Sequence, residues 1–180
     1  MQAAERSDTD AAPWQDALFQ CLKDAEIAQV AYVPDAGHAH VIRRAEADPG
    51  MKAYPLTTEE EGVASLCGAW LGGERGVLLM QSSGVGNCIN MLSLIGNCRF
   101  PFATIVTMRG ESGEFNPWQV PMGRATPAAF ELMGVTVHRV TRAEEVGPTV
   151  EAALHDAFLG EQAVAVLLSQ SLIGRKKWTK

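Results

Sequence analysis

Four polar stretches of the 180-residue chain carry the residue types that could do chemistry: 34–40 with Asp35, His38 and His40; 57–61 with Glu59, Glu60 and Glu61; 81–87 with Ser82, Ser83 and Gly84; and 109–126 with Arg109, Glu111, Glu114, Gln119 and Arg124. Three adjacent acids at a helix start ordinarily complement the helix dipole. A functional acid must instead face another ligand-binding element, and adjacent acids point in different directions, so at most one or two of these can do so. In Ser82-Ser83-Gly84-Val85-Gly86-Asn87 the glycines let backbone N–H groups approach a ligand, and a following helix start favours an anion or a polar ring. The turn begins like GxGxxG, but Ile89 stands where the third glycine belongs, which disfavours dinucleotide binding. A GxSxG nucleophile elbow would need glycine where Gln81 stands. Arg109 or Arg124 could hold an anionic group, since a guanidinium matches carboxylate, sulfonate or phosphonate geometry; the plain alternative is a solvated loop. His38 or His40 could transfer protons, or both could be ordinary loop histidines.

These stretches lie between segments with clear periodicity. Trp14, Leu18, Cys21, Leu22 and Ala25 share one helical face after Pro13. Residues 28–33 predict a strand, 38–47 a short helix and 51–56 a weak strand. Thr58 caps a helix with Val63, Leu66, Cys67 and Trp70 on one face, ending at Gly72-Gly73. Residues 76–81 and 102–108 are continuous apolar strands, the pattern of a parallel sheet covered on both faces. A glycine-bearing turn (82–87) and a helix through Ile95 separate them, and 109–126 predicts a long polar loop. Helices at 127–133 and 143–159 alternate with strands at 136–140 and 163–168. The alternation predicts an α/β fold: a doubly wound, mainly parallel sheet of about six strands with helices on both faces. Ligands in such sheets bind at the carboxyl ends of the strands, where all four polar stretches fall.

Composition narrows the function. Apolar residues are 47% and charged residues 20%, as in an ordinary globular domain. The expected organisation is a flexible segment at 1–12, one domain at 13–170 and a basic tail at 171–180. A net charge of −6 argues against nucleic acid. No apolar run reaches the roughly 18 residues of a membrane span, and no secretory signal is visible. The four cysteines lack CxxC spacing and read as reduced core residues of a cytoplasmic protein, and the four histidines form no metal motif.

Residues 56–92 (LTTEEEGVASLCGAWLGGERGVLLMQSSGVGNCINML), with YVPD at 32–35 and RGESGE…QVPMGRAT at 109–126, resemble the pyrimidine-binding domain of thiamine diphosphate enzymes. Within that group they most resemble the sulfopyruvate decarboxylase alpha subunit and phosphonopyruvate decarboxylase. The resemblance implies the thiamine diphosphate-binding fold and a helix-start glutamate that hydrogen-bonds the cofactor's aminopyrimidine and activates it. Glu60 is the expected position, because counting from it aligns the helix's apolar face; Glu59 is the alternative, because it matches the distance to Ser83-Gly84 without a gap. Ser82, Ser83 and Gly84 correspond to the turn flanking the pyrimidine. Asp35 and His38 correspond to polar residues near the substrate, with His38 a catalytic candidate, and Arg109, Gln119 and Arg124 to the long-loop motif and substrate binding.

In that family a Gly-Asp-Gly motif holds the diphosphate and Mg²⁺, and none occurs here. The expectation is therefore half an active site and no metal ligand of its own. A beta subunit would supply the Mg²⁺–diphosphate half in a homo- or hetero-oligomer, and the substrate would be a small 2-oxo acid such as sulfopyruvate or phosphonopyruvate. Two alternatives stay open: a carboligating enzyme of the acetolactate synthase type, which shares the first steps, and a non-catalytic binding module with the same fold.

Overall fold

The computed structural model describes residues 13–174; the expected flexible segment at 1–12 and positions 175–180 of the expected tail lie outside the described residues. Helix α1 (Pro13–Asp24) leads into β1 (Ile27–Tyr32), α2 (Ala39–Ala47) and β2 (Lys52–Pro55). Next come α3 (Glu59–Leu71), β3 (Arg75–Gln81), α4 (Ser82–Cys88), α5 (Ser93–Cys98) and β4 (Phe102–Thr107). A 3₁₀ turn (Pro117–Gln119) precedes α6 (Val120–Leu132), β5 (Thr136–Val140), α7 (Ala143–Phe158), β6 (Ala163–Leu168) and α8 (Gln170–Ile173). The six strands form one sheet in the order β2-β1-β3-β4-β6-β5, and every neighbouring pair is parallel. This is the doubly wound α/β class the alternation predicts.

Side-chain alternation shows why both faces must be covered. On β3, Val77 and Leu79 enter one core cluster while Leu78 and Met80 enter the other. On β6, Val164, Val166 and Leu168 face one way and Ala163, Ala165 and Leu167 the other. Helices α1, α2 and α7 cover the first face; α3, α4 and α6 cover the second. Each fully buried leucine or valine contributes about 1.5–3 kcal/mol relative to exposure, so neither helix layer is dispensable.

Two expected loops are helical. The 82–87 turn is a helix that starts directly after β3, and the 109–126 loop ends at residue 116, beyond which the 3₁₀ turn and α6 take over. Pro121 sits in the first turn of α6, where its missing N–H costs nothing. Pro127 removes the N–H that would meet the Gly123 carbonyl, and the helix nevertheless continues. There the neighbouring Thr126 hydroxyl donates to the carbonyls of Met122 (2.8 Å) and Ser82 (3.4 Å), tying α6 to the end of β3. The cysteines are free; Cys67 and Cys88 are buried as expected, whereas Cys98 is exposed.

Candidate functional site

The chain turns outward from β1 to β2 and then returns to β3, so β1 and β3 flank the point where winding reverses. Crevices form there at the strands' carboxyl ends. Asp35 follows β1 and accepts hydrogen bonds from Gln81 Nε2 at the end of β3 (2.9 Å), Thr107 Oγ1 at the end of β4 (2.8 Å) and the Gly37 backbone N–H (2.9 Å). One carboxylate thus ties three strand ends together. Burial works against its charge, but His38 and these hydrogen bonds outweigh burial and hold the Asp35 carboxyl below the usual range. A pit beside it is lined by Asp35, Gly37, Thr107, Arg109, Phe115 and Gln170.

His38 lies beneath this layer. Its side chain is fully buried, and neither ring nitrogen has a hydrogen-bond partner among the described residues. Burial lowers its pKa to about 4, against the pull of Asp35, so the imidazole is neutral at pH 7. The expected proton-transfer residue is thus closed off from solvent in this structure, next to Asp35. His40 instead reaches Asp16 on α1 (2.8 Å).

The acidic triplet separates by direction. Glu61 Oε2 accepts from the Thr57 backbone N–H (2.8 Å), and the half-buried Glu60 takes the Thr58 hydroxyl, which lowers the Glu60 pKa. Thr58 occupies the N-cap position as expected, but its hydroxyl is bonded to Glu60 rather than to the backbone. Glu59 alone turns inward, 8% exposed, onto the end of β3. Its Oε2 accepts from Asn87 Nδ2 on α4 (2.9 Å), and its Oε1 has no partner among the described residues. Its carboxyl lies flat on Gly84: a Cβ there would stand 2.1 Å from Glu59 Cδ and 2.2 Å from Oε1. Cys88 sits below, its thiol pushed up to about 12 by burial and then by Glu59. Of the two acids expected for the cofactor, Glu60 is turned to Thr58, and Glu59 meets Gly84.

The other expected residues fall into two groups. Ser82 is buried and its Oγ accepts from the Arg109 backbone N–H (3.0 Å), which fixes the start of the loop. Ser83 is exposed and donates to Gln81 Oε1 (2.9 Å). The Arg109 guanidinium is committed: it forms two bonds to Glu114 (2.7 and 2.6 Å) and lies over the Phe115 ring. That pairing lowers the Glu114 pKa to about 2 and raises that of Arg109. Glu111 binds Ser169 Oγ (2.7 Å) and the Gln170 N–H (2.9 Å), and pairs with Arg139. Gln119 keeps a buried Oε1 without a partner among the described residues, while Arg124 is exposed on α6. No cluster of three or more metal-ligating side chains occurs among the described residues.

Sequence reasoning missed Asn87, Thr107, Gln81 and Gln170. The spacing held a signal for Asn87, three residues after Gly84 and so on the same face of a helix. Thr107, Gln81 and Gln170 become neighbours only once the strand order is known.

Fold and site together define a doubly wound parallel α/β domain with an inward helix-start glutamate set against a glycine at the winding reversal. Over 87% of its length the chain is 35% identical to the sulfopyruvate decarboxylase subunit alpha of Methanothermobacter thermautotrophicus, covering 95% of that protein. The chain belongs to the family of sulfopyruvate decarboxylase alpha subunits. It is also 39% identical, over 64% of its length, to the phosphonopyruvate decarboxylase of Streptomyces viridochromogenes, of which that match covers 30%. No protein-family model matches the chain. Among solved structures, the 2-oxoglutarate:ferredoxin oxidoreductase from Magnetococcus marinus shares the fold, with a TM-score of 0.69 at 15% identity over 91% of this chain and 31% of that one.

Proposed function

We propose that this chain is the pyrimidine-binding alpha subunit of a thiamine diphosphate-dependent decarboxylase of 2-oxo acids that carry a second anionic group, such as sulfopyruvate or phosphonopyruvate. The observation that carries the proposal is the inward carboxyl of Glu59 against Gly84. An aminopyrimidine ring needs a sheltered acid with one oxygen to spare, beside a position without a side chain. Glu59 offers Oε1, and the missing side chain at Gly84 is what lets this carboxyl pack directly onto α4. When bound, the cofactor supplies the electron sink for loss of carbon dioxide from the oxo acid.

Glu59 then holds or donates a proton at the ring edge, where its low exposure strengthens the bond relative to water. Gly84, with the exposed Ser83 beside it, forms the wall the ring lies against. Asp35 and Gln119 present polar groups toward the oxo acid. Of the two expected arginines, Arg124 is the one not committed to an acid among the described residues, so it takes the second anionic group; Arg109 shapes the loop through Glu114. The chain contains no Gly-Asp-Gly, so a partner beta subunit contributes the diphosphate and Mg²⁺ half.

The test is carbon dioxide release from sulfopyruvate and from phosphonopyruvate by the chain assembled with its partner, thiamine diphosphate and Mg²⁺. Glu59→Gln lowers kcat about 10²-fold or more, while Glu60→Gln retains most activity. Arg124→Ala raises KM for the doubly anionic substrate without a matching change for pyruvate. Undiminished turnover in Glu59→Gln, or turnover by the chain without cofactor, overturns the proposal.

A further inference from the structure

We infer that Asn87 is a positioning residue that fixes which oxygen of Glu59 carries its proton. This rests on the functional reading above but concerns a residue that reading does not use. A side-chain amide nitrogen only donates. Asn87 Nδ2 lies 2.9 Å from Glu59 Oε2, so that oxygen is held as an acceptor and any proton on the carboxyl resides on Oε1. Oε1 is the oxygen that packs against Gly84, 2.2 Å from the point where a Cβ there would stand. The same bond fixes the rotation of the carboxyl. Because Asn87 and Gly84 are one helical turn apart on α4, the short helix presents both the glycine the carboxyl packs on and the amide that clamps it to one acid on α3.

The other groups around Glu59 do not duplicate this role. Glu60 and Glu61 on α3 are turned to Thr58 and Thr57. Cys88 on α4 is an un-ionised thiol at neutral pH. Cys98, from α5, lies against Cys67 two turns further along α3. Strands β1, β3 and β4 also pack on α3. Their titratable side chains are Tyr32, bonded to Glu46, and Arg75, which lies at the other end of β3. β4 has none.

The experiment follows the Glu59 side-chain carboxyl through a pH titration by ¹³C-detected NMR of the full chain, as wild type, Asn87→Ala and Asn87→Asp. Asn87 is exposed, so both variants are expected to fold, which thermal unfolding checks. The expected result is a midpoint raised by about one pH unit in Asn87→Ala, the size of a hydrogen bond to a charged group. In Asn87→Asp a second carboxylate replaces the donor and the rise is larger. In the assembled decarboxylase the acid limb of the kcat profile moves upward in parallel, with kcat about tenfold lower at the wild-type optimum and KM little changed. A merely structural asparagine would alter stability and leave both midpoints in place. An unmoved Glu59 midpoint in both variants overturns the inference even if Glu59→Gln is inactive. An active Glu59→Gln overturns the functional reading and leaves the NMR result to stand on its own.

Discussion

His38 shows how one side chain couples the site to stability. Its pKa of about 4 in the folded chain lies below the ordinary 6.5, so protons prefer the unfolded chain. The neutral ring's contribution is complete above about pH 6.5 and is lost as pH falls towards 4, a change of about 3 kcal/mol. Urea unfolding at pH 7 and pH 4.5 measures it, and His38→Leu should flatten stability across that interval. A separate loss follows between about pH 4.5 and 2, as Glu114 takes up the proton that Arg109 holds off. The residue types at the site were legible in the sequence; their directions were not. Successive helical residues are rotated by about 100°, so choosing among Glu59, Glu60 and Glu61 requires the helix's true buried stripe. That stripe runs through Glu59, Gly62, Val63 and Leu66. Gly62 was the overlooked marker, since a Cβ there would stand 2.5 Å from Leu78, which brings this face of α3 down onto β3. The pairing of Arg109 was hidden for a related reason: its partner is five residues away on the same loop, and no periodicity reports that contact.

Between elements, close approach at two glycines does opposite things. At Gly84 a methyl group would meet only side-chain atoms of Glu59, so Gly84→Ala should move the acid rather than the fold. The expected outcome is an unfolding free energy within about 1 kcal/mol of wild type and decarboxylation reduced about as far as in Glu59→Gln. At Gly123 the added carbon would stand 2.0 Å from the Arg109 backbone oxygen, which cannot swing away. Gly123→Ala should cost roughly 3 kcal/mol by overpacking, read as a lower denaturation midpoint. The strands were the most legible elements. Those at 136–140 and 163–168 fall where expected, and β1, β3 and β4 fall within one residue of it, because apolar runs between turn signals leave little freedom of register. Two prolines and three glycines hid the start of α6 and the helical nature of α4. Both helices are held by contacts to the ends of β3 and β4, which only the assembled sheet supplies.

At the scale of the whole molecule, Glu59 and Gly84 lie where strands end, and the diphosphate-holding motif of the proposed chemistry does not occur in the sequence. The match to the Streptomyces viridochromogenes phosphonopyruvate decarboxylase covers 30% of that protein, so most of that chain has no counterpart in the matched segment. On the proposed reading, a half-site of this kind binds a cofactor's ring but lacks what holds its charged end. Binding therefore depends on both halves, and linkage makes this measurable. A ligand that binds only the folded assembly stabilises it by about 2.7 kcal/mol at a hundredfold excess over Kd. For a chain of this length that shifts the thermal midpoint by about 5–10 °C. Calorimetry of this chain with thiamine diphosphate and Mg²⁺ alone should show no such shift, whereas the chain mixed with its beta subunit should. In the mixture, Glu59→Gln should reduce the shift without abolishing it, because the diphosphate contacts remain in the partner. A full shift for the isolated chain would place both halves of the cofactor site on this polypeptide and remove the need for a partner.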